Sequence, residues 1–406
     1  MRAPSVRVVT VGGALSRAVG SAAAQIAERR GLALILDDGR GARGLGEASP
    51  LPGRSGETLG AVAAALAALD GGALAEAAEA LTRAALPVGA ALGEVVDEVL
   101  GEVLGAPPVV RALPPSARFA VETALLDLVG RRRGLTMAAL LGARPGARVG
   151  LQRVVDAGEG AAALVEAARR LEREGGGALK VKIGGADFVA ELAAVAALRA
   201  AHPSVELRLD ANRAFADEDV AARLRRLAGV APAFIEEPAR GGLRAVDERD
   251  RGRIALAADE SLADAPREVE ALLAARRLAA IVVKPMAVGG IAAALAWARR
   301  ASEAGAAVVV SHLWDGPIAL TACAHLALAV APPPERPPAV AGLAPHPGLD
   351  AWPPVTLPLH RARPLGLSAD GAGPGLGLPA SFEAALTADV EFTDEALAVP
   401  APEVPR

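Results

Sequence analysis

Six polar side chains follow one another at a steady pitch through the middle of the chain: Lys182, Asp210, Glu236, Asp259, Lys284 and Ser311, at intervals of 28, 26, 23, 25 and 27 residues. Three of them are carboxylates in succession, bracketed by lysines. Three converging carboxylates suit a hard dication that takes oxygen ligands, with Mg²⁺ the natural candidate and Mn²⁺ a substitute. Such a cation can bind a substrate carboxylate and stabilise the anion formed when its α-proton leaves. The five histidines, at 202, 312, 325, 346 and 360, include no His-x-His pair, which speaks against a zinc hydrolase. Taken singly, each acid also reads as a helix cap or a solvated loop residue. The ordered set is much harder to obtain by accident.

The stretch "LKVKIGG" (179–185) places Lys180 and Lys182 two apart in an apolar run. Side chains at i and i+2 of a strand share a face. Lysine is a base only when neutral, and a neighbouring ammonium or dication lowers its pKa. On this reading Lys182 moves the proton and Lys180 tunes it. The alternative makes Lys180 a structural group satisfied by a carboxylate. Arg208 shares the inward face of Asp210 and either orients a ligand or pairs with one of the acids. Lys180, Arg208, Asn212 and Glu260 form the supporting set.

Elements able to position these groups recur between about 149 and 345. Strand-like runs at 149–155, 178–184, 205–211, 233–238, 254–260, 278–285 and 306–312 alternate with Ala/Leu-rich helical stretches such as 187–201 and 290–305. That alternation implies βαβ units and a parallel sheet, and this many units favour closure into a barrel. A short run near 340–345 supplies an eighth strand. Chemistry in such a barrel gathers at the C-terminal strand ends, where the six residues fall. The first 145 residues differ: strands near 5–12 and 31–37, a Gly/Pro-rich loop at 44–59, and helices, one at 116–132 capped by Ser116. A Pro- and Gly-rich tail, 363–406, follows the barrel, and its piece 373–386 is expected to pack back on the N-terminal region.

Composition bounds the rest. A chain of 406 residues, 52% hydrophobic but 2% aromatic and without Tyr, builds its core from Ala, Leu and Val. A net charge of −4 with no long basic run argues against nucleic acid. The single Cys323 excludes an internal disulfide, as expected in a reducing cytoplasm. The N-terminal apolar run is broken by Arg7, Gly12, Gly13 and Arg17, unlike a signal peptide. The apolar stretch 316–334 reads as a buried helix, not a membrane span. The expectation is a soluble, cytoplasmic protein acting on a small carboxylate, without membrane or nucleic-acid partners, possible as a homo-oligomer.

The motifs "KVK", "LRLDAN", "IEEP", "ADES" and "VVKP" resemble the enolase superfamily, specifically its muconate-lactonizing subgroup. The resemblance covers nearly the whole chain. It implies an α/β fold with a (β/α)7β TIM-type barrel at 146–362, and an α+β capping domain at 1–145 completed by 363–406. It also implies Lys182 and Lys284 as acid/base lysines and Asp210, Glu236 and Asp259 as Mg²⁺ ligands. Within the subgroup, "GLGEASPLPGRSGETL", "SARFAVETALLDL", "ADESL" and "PGLD" are most similar to the o-succinylbenzoate synthase family, whose cap loops, here about 13–24 and 49–56, close over the barrel mouth. Substrate-pocket positions carried over are Ser311, His312, Asp315, Pro50 and Pro52.

The segment "SHLWDGP" (311–317) departs from that family, which is richer in serine there and has Glu at the position of Asp315. No Asp-x-Asp pair of the dipeptide-epimerase kind is visible. The resemblance implies a Mg²⁺-dependent dehydratase of menaquinone biosynthesis, a carbon-oxygen lyase, converting 2-succinyl-6-hydroxy-2,4-cyclohexadiene-1-carboxylate to 2-succinylbenzoate. The rival readings are an N-succinylamino acid racemase, a muconate cycloisomerase, and a non-catalytic barrel kept for binding.

Overall fold

A computed structural model describes residues 2–21, 24–83, 113–247 and 254–387. Residues 22–23 of the expected lid loop 13–24 and the last part of the expected cap, 388–406, lie outside these.

Three antiparallel strands open the chain in the order β1 (Ser5–Ser21), β2 (Ala24–Asp37), β3 (Arg43–Ala48). The sheet lies on the helix Pro115–Arg133. The sequence suggested a loop from residue 44, yet Arg43–Ala48 is a strand. The glycines serve close packing there: a Cβ at Gly44 or Gly46 would stand 2.0 Å from the carbonyl oxygen of Ala124 or Ala120. The helix also corrects the expected cap. Pro115 occupies its first turn, no side chain caps it, and Ser116 instead donates its N–H to Glu57 Oε1 at 3.0 Å. A proline at that position has no amide hydrogen to satisfy and is already set at a helical φ.

Eight parallel strands follow: β4 (Arg148–Asp156), β5 (Ala178–Lys182), β6 (Leu207–Asp210), β7 (Phe234–Glu236), β8 (Leu256–Ala258), β9 (Leu278–Val283), β10 (Ala307–Val310) and β11 (Val340–Ala341). They pair in chain order from β4 to β10. β11 returns beside β4, and a bridge between Ser311 and Gly342 joins β10 to it. The sheet is thereby closed, as the α/β (β/α)7β expectation requires. Each expected strand is present at its expected place. Helices Ala161–Glu174, Phe188–Ala201, Asp217–Leu227, Pro266–Ala274, Ile291–Ala304 and Pro317–Ala329 cover the outside. Among the described residues the β7–β8 link carries only the 3-10 turn Leu243–Ala245.

Alternation along the strands sorts the barrel interior into layers. Phe234, Ala257, Ala280, Val282 and Val309 form a small inner apolar cluster. Two residues after Phe234, Ala257, Val282 and Val309 come Glu236, Asp259, Lys284 and Ser311 on the same face. The apolar layer is thus the floor on which the polar mouth stands. Arg208, expected to orient a ligand or pair with a barrel acid, belongs to this lower layer. Its guanidinium goes to Glu206 Oε1 (2.8 Å), Gln152 Oε1 (2.9 Å) and the Val340 carbonyl (3.2 Å), over the Phe234 ring. It is occupied one layer beneath the carboxylates.

The C-terminal segment ties the parts together. β12 (His360–Ala362) and β13 (Leu365–Ser368) form a hairpin, and β13 adds antiparallel to β4. Leu376 N–H then reaches Asp127 Oδ1 at 2.7 Å, while Leu45 N–H donates to Asp127 Oδ2 at 2.9 Å. One buried carboxylate on the helix Pro115–Arg133 thereby holds both the first sheet and the tail. The helix Pro317–Ala329 is buried along nearly its whole length, as its apolar run suggested. No single helix among the described residues is long and apolar enough to cross a membrane.

Candidate active site

The register of the strands brings the polar series level. Lys182 on β5 is opposite Asp210 on β6, and Asp210 is opposite Glu236 on β7. Asp259 and Lys284 directly follow β8 and β9. Asp210, Glu236 and Asp259 are buried, 3%, 0% and 5% exposed. Carboxylates this dry need cationic or hydrogen-bond partners.

Lysines supply them. Lys180 rises from the lower layer to lie 2.8 Å from Asp210 Oδ2 and 2.5 Å from Glu236 Oε2. Lys284 Nζ lies 2.6 and 2.7 Å from the two oxygens of Asp259. Asn212, in the left-handed region at φ 44°, folds back to give Asp210 Oδ1 its N–H (3.0 Å) and Nδ2–H (2.5 Å). Lys182 is different. It is half-buried, and its side chain makes no hydrogen bond or ion pair among the described residues.

Charge follows these contacts. Burial works to lower Lys180, but Asp210, Glu236 and Asp259 outweigh it and hold its ammonium well above the usual amine range. Burial also opposes the charged form of Lys284, and Asp259 and Glu260 overcome it. For Lys182 burial prevails: it lowers the amine, Asp210 resists, and the charges on Lys180 and Lys284 add to the lowering. The tuning by Lys180 expected from the sequence is therefore the smaller part of the effect. Burial, then the charge of Glu260, pushes Asp259 up.

The three carboxylates have the chemistry of a site for a hard divalent cation. Glu236 Oε1 is buried with no partner among the described residues, an acceptor that such an ion could use. Among the described residues, no three His, Cys, Asp or Glu side chains already stand close enough to clasp an ion. The ammonium of Lys180 bridges Asp210 and Glu236 and that of Lys284 sits on Asp259, so the two lysines supply the positive charge.

Around this centre the structure gathers further groups. Glu237, buried and at φ 38°, accepts from Asp259 N–H (3.0 Å), Ser261 N–H (3.0 Å) and Ser261 Oγ–H (2.9 Å), and is paired with Arg213 at 3.0 Å. It orients the backbone that presents Asp259. The second glutamate of "IEEP" and the serine of "ADES" were its visible trace. Glu260 faces Arg54 of the 49–56 loop at 3.5 Å, which draws that loop to the barrel mouth. In the same loop Pro50 is buried and Pro52 exposed.

Arg29 and Glu47 are the larger omission. Arg29, 1% exposed, donates to the carbonyls of Pro50 (2.9 Å), Leu313 (3.0 Å), Trp314 (3.1 Å), Arg30 (3.1 Å) and Ser49. Glu47 receives Ser49 Oγ–H (2.6 Å), Gly316 N–H (2.5 Å) and Ala319 N–H (2.9 Å), so an acid of the first sheet caps a barrel helix. Asp315, expected in the substrate pocket, belongs to this seam. It is 1% exposed, and burial together with the charge of Glu47 pushes it up to about 7 against the pull of Arg29. A run such as "SHLWDGP" does not reveal which of its side chains turns inward. Ser311 stays at the mouth, its hydroxyl donating to the Gly342 carbonyl at 3.3 Å. His312 is there too, stacked on His346 of the segment after β11 with ring centroids 4.1 Å apart.

Comparison with known proteins places this geometry. Residues 163–378 match the family described as "Enolase C-terminal domain-like". The chain is 33% identical over 220 residues to an o-succinylbenzoate synthase of Desulfotalea psychrophila, a match covering 52% of this chain and 58% of that one. It is 30% identical over 213 residues to muconate cycloisomerase 1-2 of Acinetobacter lwoffii, covering 52% and 55%. The chain thus spans little over half the length of the curated relatives it matches. Among solved structures, a dipeptide epimerase of Methylococcus capsulatus, complexed with Mg and the dipeptide L-Arg-D-Lys, superimposes with a TM-score of 0.70 at 26% identity, over 93% of this chain and 99% of that one. With five ordered motifs, a closed barrel and a family match over more than half its residues, the chain belongs to the enolase superfamily, in its muconate-lactonizing subgroup.

Proposed function

We propose that the protein is a magnesium-dependent dehydratase that removes the proton α to a carboxylate and expels a β-hydroxyl. The substrate is 2-succinyl-6-hydroxy-2,4-cyclohexadiene-1-carboxylate and the product 2-succinylbenzoate. The observation that carries the reading is the unequal state of the lysines. Lys180 and Lys284 are each clamped on carboxylates, while Lys182 is unpaired among the described residues. One free base suffices for a syn elimination.

Asp210, Glu236 and Asp259 would hold the magnesium ion, which supplies positive charge against the anion that develops on the substrate carboxylate. Lys182, neutral, takes the α-proton, and the ring keeps the electron pair as an enolate. The carbon–oxygen bond then breaks, and Lys182 returns its proton to the departing hydroxyl, which leaves as water. The base ends neutral, and the ring is aromatic. Lys284 projects from the strand four places round an eight-stranded barrel from β5, so it faces Lys182 across the mouth. Held as an ammonium, it stabilises the enolate from the opposite side. Similarity to an o-succinylbenzoate synthase supports the substrate.

The same opposed placement favours a second reading, an N-succinylamino acid racemase, in which Lys284 leaves Asp259 and acts as the other base. An ultraviolet assay of the cyclohexadiene carboxylate with Mg²⁺ tests the first reading. Aromatisation by wild type that Lys182→Ala abolishes is the expected result. No turnover by folded, magnesium-binding wild type overturns it, and solvent deuterium entering N-succinyl amino acids would then establish the racemase.

A further inference from the structure

The site as read above accounts for the reacting carboxylate of a substrate but not for its other end. The segments after β10 and β11 meet at the Ser311–Gly342 bridge, and each carries a histidine beyond it. The imidazoles of His312 and His346 stack at 4.1 Å with 14° between planes, and the Trp314 ring stands edge-on to both, at 5.8 and 5.3 Å. Trp314 N–H donates to His312 Nδ1 at 2.9 Å, and Gly348 N–H donates to His346 Nδ1 at 3.1 Å.

These two backbone donors decide the tautomers. A nitrogen that accepts carries no hydrogen, so each neutral ring bears its proton on Nε2. Burial keeps both rings neutral, assisted by the positive charge of Lys284, Lys180 and Arg29 at His312 and of Arg29 at His346. The pair therefore offers two N–H donors and no free acceptor. His346 Nε2 is buried and has no partner among the described residues. A donor left dry and unmatched is costly, and a ligand oxygen would relieve it. Asp350, the acid on the same segment, does not serve, because its carboxylate accepts Ser16 N–H of β1 at 3.1 Å.

We propose that His312 and His346 form the subsite for the far end of the substrate, and that this end is a carboxylate. The inference rests on the reading of the barrel mouth as a site for carboxylate substrates and names the chemistry of the remote group. Two N–H donors side by side, with no acceptor between them, suit an anionic acceptor. They give an ammonium no acceptor, so it would meet only other donors. Diacids with a succinyl-type arm are accepted, and dipeptides with a free amino terminus are rejected.

The test is direct binding, by calorimetry with Mg²⁺, of two pairs of probes: 2-succinylbenzoate against 2-butyrylbenzoate, and N-succinylalanine against N-butyrylalanine. Each pair exchanges only a terminal carboxylate for a methyl group. Wild type is expected to prefer the carboxylate member of at least one pair tenfold or more. His346→Phe and His312→Phe keep the flat ring without the donor and should lose that preference. His346→Gln returns an N–H and should recover most of it. In turnover the loss falls on KM, with kcat little changed. No preference in wild type, or preference retained by both folded Phe variants, overturns the proposal. Preference intact without dehydration by wild type leaves the subsite standing and sinks the dehydratase instead.

Discussion

The ammonium of Lys180 lies 2.5 Å from Glu236 Oε2, inside a barrel where both residues are buried. The same nitrogen is 2.8 Å from Asp210. Lys180 thus acts first as the counter-charge of two acids, and its neighbour Lys182 remains free. Removing one partner of a buried pair leaves an uncompensated charge and costs about 3–5 kcal/mol. Lys180→Ala is expected to lower the melting temperature in EDTA, with much of the loss recovered on adding Mg²⁺. Thermal melts with and without the metal check this, and equal melts under both conditions would count against a cation site among these acids.

Glu236→Gln keeps the volume of the side chain and removes one charged donor. Metal affinity should fall about tenfold or more, because a change even to groups that merely support a metal ligand costs about 10–100-fold. Calorimetric titration of Mg²⁺ into folded variant and wild type reads the difference.

Asp315 predicts a pH effect of definite sign. Its pKa is pushed up to about 7 in the fold from an ordinary carboxyl value of 3.8, chiefly because it is buried beside Glu47. A carboxyl raised on folding contributes stability that is complete below the unfolded value and lost as pH rises through the folded one. Asp315→Asn is neutral throughout and can still accept Leu313 N–H, the 3.2 Å contact of Oδ1. The variant should melt above wild type at pH 8, by up to roughly 4 kcal/mol of stability, with the advantage shrinking toward pH 4. Melting curves across that range decide it.

Gly46→Ala tests the cap against its helix. The added carbon would sit 2.0 Å from the Ala120 carbonyl oxygen, so strand and helix must separate. A loss of about 2–3 kcal/mol is expected, by urea denaturation. A variant as stable as wild type would show that β3 does not need this close approach.

Much of this protein is written along the chain. Strands recur with one polar residue at each C-terminal end, and the alternation of a strand then obliges Lys182, Asp210, Glu236, Asp259 and Lys284 to face one mouth. Those are local properties, period and spacing, and they survive without knowledge of any contact. What depends on contact was not legible. Lys180, Lys182 and Lys284 are identical in type, and only packing leaves the second unpaired. Arg208 and Asp210 share a face, but the lower layer claims the arginine through Gln152 and Glu206. Arg29 and Glu47 sit in an N-terminal sheet, more than 260 residues from the Leu313–Ala319 backbone they hold. Their roles arise only when the two regions meet, because a backbone hydrogen-bond partner leaves no mark on the residue that supplies it. The same holds for His312 and His346. His312 was a pocket position by resemblance and His346 one of the scattered histidines, and only the closure of β10 against β11 made them a pair with fixed tautomers.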